Sequence, residues 1–73
     1  MSANDTLIQI HLNGEDREIS SGLSVHALLL ELELQPEMIV VEHNRQILSR
    51  DRYPQVEVSP GDTLELVHFV GGG

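Results

Sequence analysis

Ile8, Ile10 and Leu12 alternate with Gln9 and His11, a period of two that predicts a strand with one apolar face. Asn13-Gly14 follows directly, and this pair accepts positive φ at both central positions of a two-residue hairpin turn. A first β-hairpin is the consequence, with its second strand running from Glu15 to Ser20. That strand is polar apart from Ile19, which predicts a place toward a sheet edge with its outer face in water.

The period then changes. Ser24 is placed as a helix N-cap, with Leu23 before it and Leu28 inside positioned as a hydrophobic staple. Val25, Leu28, Leu29 and Leu32 stand at i, i+3, i+4 and i+7, so the stripe predicts a helix over roughly residues 25–34, with Pro36 preventing continuation. Met38 to His43 is a β-branched run without helical spacing, read as a central strand buried on at least one face. Asn44-Arg45-Gln46 is a polar turn before the short strand Ile47-Leu48. Residues 49–54 carry too many turn formers and charges for a core element and are read as a loop; Tyr53 either stacks at an interface or packs that loop on the sheet. Val56-Glu57-Val58 adds a few paired residues before the turn Ser59-Pro60-Gly61-Asp62, and Thr63 to Val70 forms the last strand.

Strands gathered around a single helix argue for an α+β fold, a sheet of four to five strands with the helix across one face. Only one face is then covered, so the period of two in the last strand divides it. Leu64 and Leu66, with Val70 ending their row, match the bulk of the helix stripe and are assigned to the core. Val67 and Phe69 fall on the open face, rimmed by acidic residues such as Glu65, and are assigned to partner binding. Residues 1–70 are read as one domain, with residues 1–6 a flexible lead and 71–73 a flexible glycine tail.

Composition narrows the chemistry. A chain of 73 residues supports one modest core and buries only about 60% of its unfolded surface, so chemistry is expected at an edge or an end. There is no cysteine, which excludes disulfides and thiolate metal sites. Twelve acidic residues against four arginines give a net charge of −8, which repels nucleic acid and anionic lipid. No apolar run spans a bilayer and the first residues lack the pattern of a signal peptide, so a cytoplasmic location is expected. His11, His26, His43 and His68 lack metal-ligand spacing, and no metal site is assigned. Glu31 with Glu33, and Glu15 with Asp16, are read as solvated faces.

Gly71-Gly72-Gly73 follows the last strand and offers no side chain to pack. Without Cβ atoms such a segment enters a channel too narrow for other residues, and three residues reach about 10 Å. A terminal carboxylate carried there becomes a reagent on a tether. Adenylation from ATP would make it a mixed anhydride, and a sulfur nucleophile could then replace AMP to leave a thiocarboxylate.

Asn13-Gly14, the run Ser24 to Leu29, Ile39 to Asn44, Arg52-Tyr53 and the ending Val67 to Gly73 together resemble the ThiS family of sulfur carriers in thiamine biosynthesis. The similarity covers nearly the whole chain from about residue 7. It implies a ubiquitin-like β-grasp fold with a mixed sheet, and a protein cosubstrate rather than an enzyme. Gly73 would be adenylated and thiocarboxylated, with Gly72 and Gly71 leading it into the active sites. The implied partners are an E1-like activating enzyme of the ThiF type, a thiazole synthase of the ThiG type, and a sulfur donor such as a cysteine desulfurase. No cofactor is implied for this chain itself; ATP and Mg belong to the activating enzyme. A molybdopterin synthase small subunit, a ubiquitin-like protein modifier and an interaction module with an inert glycine end are the alternatives that the sequence leaves open.

Overall fold

The computed structural model describes residues 6–69. β1 (Leu7–Leu12) and β2 (Glu15–Ser20) form an antiparallel hairpin in register from Leu7 opposite Ser20 to Leu12 opposite Glu15. That register leaves Asn13 and Gly14 for the turn, at φ 51 and φ 83, the left-handed conformations expected of this pair. Ile10 and Leu12 are buried in β1, and Ile19 alone is buried in β2.

The helix α1 (Val25–Glu31) begins as expected, with Ser24 extended and its Oγ accepting from the Ala27 N–H at 3.0 Å. It ends earlier than the apolar stripe predicts. Glu33 takes φ 62, the Leu34 N–H donates to the Leu29 carbonyl, and the Glu33 N–H donates to that of Leu30, both at 2.9 Å. This is the two-bond closure of a left-handed C-terminal cap, where glycine is usual and Glu33 gave no signal. Leu32 and Leu34 still pack against the core from beyond the last helical turn.

A 3₁₀ turn over Pro36–Met38 leads into β3 (Ile39–His43), which therefore starts one residue later than expected. Asn44 and Arg45 turn at φ 52 and φ 71 into β4 (Gln46–Leu48). Residues read as a loop form a 3₁₀ segment, Arg50–Gln55, and this segment does reach the core: Tyr53 is 2% exposed and its hydroxyl donates to the Ile39 carbonyl at 2.8 Å. Its charges point outward while the one aromatic ring turns in. Val56 to Val58 pairs not with the sheet but with the run into the helix, through Val25 N–H to Val56 O at 2.8 Å and Val58 N–H to Leu23 O at 2.9 Å.

After the turn at Gly61, β5 (Thr63–His68) runs down the middle of a five-stranded sheet of order β2-β1-β5-β3-β4. It is parallel to β1 and antiparallel to β3. β3 is flanked on both sides, but the centre belongs to β5. The single α-helix of the described residues covers one face through Val25, Leu28 and Leu29, which bury against Ile10, Ile39, Val41 and Leu64. This is the α+β, ubiquitin-like β-grasp arrangement. Among the described residues no helix is long and apolar enough to cross a membrane.

Leu64→Ala should destabilise the protein by about 2–5 kcal/mol, since Leu64 is fully buried at the sheet centre. Tyr53→Phe should cost about 1–2 kcal/mol by taking the donor from the Ile39 carbonyl while keeping the ring. Urea unfolding of both variants checks this; an unchanged midpoint for Tyr53→Phe would remove the hydroxyl from the account.

Candidate functional site at the end of the last strand

The last strand divides as its period of two requires. Leu64 is buried and Leu66 partly buried on the helix side, whereas Val67 is 60% and Phe69 48% exposed. Strand register identifies their neighbours on the open face. Val67 stands opposite Val40, Glu65 opposite Glu42, and Glu42 opposite Ile47, which is also exposed. The Phe69 N–H donates to the Met38 carbonyl at 2.6 Å, so β3 still accompanies the chain at that point. An apolar strip of Val67, Phe69 and Val40 thus borders the carboxylates of Glu65 and Glu42, with Ile47 on their far side. Val70 and the glycines Gly71, Gly72 and Gly73 lie outside the described residues.

On its other side β5 loses its neighbour early. β1 turns away at Asn13, and the Asn13 side chain takes over by accepting the Leu66 N–H at 2.7 Å. Sequence reasoning found the turn but not this contact, because nothing local signals a reach across 53 positions. Two hollows of about 180 and 290 Å³ are lined by other residues, one beside β2 and α1, the other beside Pro36 and Tyr53. The apolar strip is a surface and not a pocket, a form suited to a protein partner rather than a small molecule.

The histidines do not converge. His11 meets Asp16 at 2.6 Å across the first hairpin, His68 stands opposite Ile39 at the far end of β5, and His26 lines the hollow beside Tyr53. His43 Nε2 lies 2.8 Å from Asp62 Oδ2, partly buried. Asp62 also accepts from the Ser59 N–H at 2.9 Å and from the Asn44 side-chain amide at 3.2 Å, while Asn44 Oδ1 accepts the Thr63 N–H at 2.9 Å. The cluster ties the turn after β3 to the turn before β5. Burial alone would raise the Asp62 carboxyl, but hydrogen bonds from His43, Ser59 and Asn44 and the charge of His43 together hold it below its ordinary value of 3.8.

The family model that matches is the ThiS family, over residues 10–73. The sulfur carrier protein ThiS of Bacillus subtilis is 37% identical over 65 residues, covering 88% of this chain and 98% of its own length. A thiazole synthase of Magnetococcus marinus is 41% identical over 66 residues, covering 90% of this chain. The chain spans only a fifth of the length of the thiazole synthases it matches. The crystal structure of the thiamine biosynthesis protein ThiS from Geobacter metallireducens superposes with a TM-score of 0.79 at 32% identity, covering 90% of this chain and all of that one.

Because the folded-state pKa of Asp62 lies below the unfolded one, its carboxylate contributes stability that is complete above 3.8 and is lost as pH falls through the folded value. Asp62→Asn should therefore lower stability at neutral pH, by about 1–2 kcal/mol, and lessen the loss of stability on acidification below about pH 4. Denaturation at a series of pH values checks both; an acid limb with unaltered slope would exclude Asp62 as a contributor.

Proposed function

The chain belongs to the ThiS family, and we propose that it is a sulfur carrier whose Gly73 carboxylate is adenylated, converted to a thiocarboxylate, and used to donate sulfur for thiazole formation in thiamine biosynthesis. The observation that carries this reading is a family match running through Gly73, joined to an exposed apolar strand end immediately before the glycines.

The chemistry suits a domain whose last described strand ends in an exposed apolar surface. The carboxylate oxygen attacks the α-phosphorus of ATP and pyrophosphate leaves. The acyl adenylate then accepts a sulfur nucleophile at its carbonyl carbon, and AMP leaves with the original oxygen. Hydrosulfide as the nucleophile leaves the thiocarboxylate directly; a persulfide donor leaves an acyl disulfide, which a thiol reductant cleaves to the thiocarboxylate as the donor cysteine departs in a mixed disulfide. The thiocarboxylate sulfur is itself a nucleophile. With no cysteine in the chain, no side chain competes as the sulfur-bearing group. ATP and Mg act within an E1-like activating enzyme of the ThiF type, and sulfur comes from a donor such as a cysteine desulfurase.

Val67 and Phe69 are the anchors we assign to partner docking. An aromatic anchor within a polar rim is the usual composition of a binding hot spot, and Glu65 and Glu42 supply part of that rim here. Thiazole synthase is the favoured sulfur acceptor because a segment like this chain occurs within two thiazole synthases. Those same relatives favour thiazole formation over the molybdopterin and protein-modifier alternatives. The glycines act by what they lack: Gly72 and Gly71 pass through a narrow channel and leave the carboxylate unobstructed.

Incubation with the activating enzyme, ATP, Mg and a sulfur donor should replace one oxygen by sulfur, with fragmentation assigning the change to Gly73. Sulfur on another residue, or none with a demonstrably active enzyme, would defeat the carrier reading. Gly72→Val, or one bulky residue added after Gly73, should block the modification without altering the unfolding midpoint. Phe69→Ala should weaken partner binding by about 2 kcal/mol or more in titration calorimetry while leaving stability nearly unchanged; a Phe69→Ala protein that binds normally would remove the patch from the interface.

A further inference from the structure

The central strand runs past its neighbour on one side. β1 pairs with β5 only at His11 with Thr63 and Leu12 with Leu64. The Asn13 N–H then donates to the Leu64 carbonyl at 2.9 Å, and the chain leaves through the Asn13-Gly14 turn. The next N–H of β5 on that side is Leu66's. Its acceptor is not a backbone carbonyl but Asn13 Oδ1, at 2.7 Å. One residue therefore continues the ladder twice, first with its main chain and then with its side chain.

The position demands a particular residue. A two-residue turn of this kind requires positive φ at its first member, which Asn13 adopts at φ 51. Among residues that accept this conformation readily, glycine has no side chain, whereas asparagine and aspartate also carry an acceptor oxygen one carbon beyond Cβ. Leu66 in turn is the last residue before Val67 and Phe69, the two exposed apolar side chains of this strand end. β3 holds the opposite side as far as Phe69. Without the Asn13 cap, the strand beyond Leu64 is paired on one side only.

We propose that Asn13 is a positioning residue for the docking surface: its side-chain oxygen substitutes for the β1 residue that the hairpin takes away and keeps Leu66 to Phe69 extended along β3, so that Val67 and Phe69 are presented on the open face. The proposal rests on the reading that this strand end docks on the activating enzyme. It predicts that the turn and the cap, both supplied by Asn13, separate on substitution. Asn13→Gly keeps the turn and removes the acceptor, while Asn13→Asp keeps both.

Two measurements on the full chain decide it. In Asn13→Gly, hydrogen exchange at the Leu66 amide should accelerate about fivefold to tenfold while the Ile10 amide is unaffected, and Asn13→Asp should restore protection. In adenylation assays, Asn13→Gly should raise the KM for the carrier by about fivefold to tenfold with little change in kcat, and Asn13→Asp should behave as the parent protein. Unaltered Leu66 exchange in Asn13→Gly, an unaltered KM despite faster exchange, or equal impairment of both variants would each overturn the proposal. Failure of the parent chain to be adenylated by an active enzyme would instead defeat the carrier reading, and the docking role with it, whatever the exchange data show.

Discussion

The structure depends on an offset between neighbouring strands. β5 lies between β1 and β3 at the middle of the sheet, yet β1 leaves it after Leu64, and β4 leaves β3 after pairing Leu48 with Val41. Each departure exposes backbone groups that a longer neighbour would have paired. Side chains fill both gaps. Asn13 accepts the Leu66 N–H on the β1 side, and the Tyr53 hydroxyl reaches the Ile39 carbonyl of β3, whose own Ile39 stands opposite His68 of β5. The β3–β5 pair is thereby supported toward its exit by residues from a hairpin turn and a 3₁₀ segment, neither of which belongs to the sheet. A third side-chain cluster, His43 with Asn44 and Asp62, fixes the other end of the same strand pair.

These supports explain how so small a chain keeps one strand end orderly while leaving its face bare. With one helix, the sheet has a covered side and an uncovered side, and the register assigns every β5 residue to one or the other. Leu64 and Leu66 join the core; Glu65, Val67 and Phe69 do not. The core and the exposed apolar surface are therefore supplied by different side chains of the same strand. Had the exit of β5 been held by packing on its open face, covering that face would have been needed for folding and its apolar residues would not be available to a partner. Hydrogen bonds in the plane of the sheet avoid that conflict, because they restrain the backbone edge-on and leave both faces free.

Much of this was legible in the sequence, and the division between what was and what was not is physical. Asn13-Gly14 predicts its turn, Ser24 its cap, and the alternation from Thr63 to Phe69 its two faces, because each depends on residues within a few positions of one another. The helix ends short of its apolar stripe for a local reason: a left-handed cap normally announces itself with glycine, and Glu33 occupies it instead. Residues 49–54 read as a loop because turn formers and charges dominate their composition, although one buried ring, Tyr53, decides where the observed segment Arg50–Gln55 sits. The contacts of Tyr53, His43 and Asn13 span 14, 19 and 53 positions and leave no periodic trace. For the candidate site the exposed pair Val67 and Phe69 was legible, and the residue supporting it was not.

Charge completes the account of an exposed apolar strip on a small acidic chain. Leaving Val67, Phe69 and Ile47 in water would ordinarily favour association of one copy with another through the same surface. Here two facing copies would also bring their Glu42 and Glu65 side chains together, within molecules that each carry a net charge of −8. Like charges at the border of an apolar contact oppose self-association far more than they oppose a neutral or basic partner, which can bury the same apolar atoms and pair the carboxylates. The acidic residues thus oppose self-association without being part of the core. The exposed apolar strip with its acidic border lies on one face of the sheet and the core on the other, with in-plane hydrogen bonds restraining β5 between them.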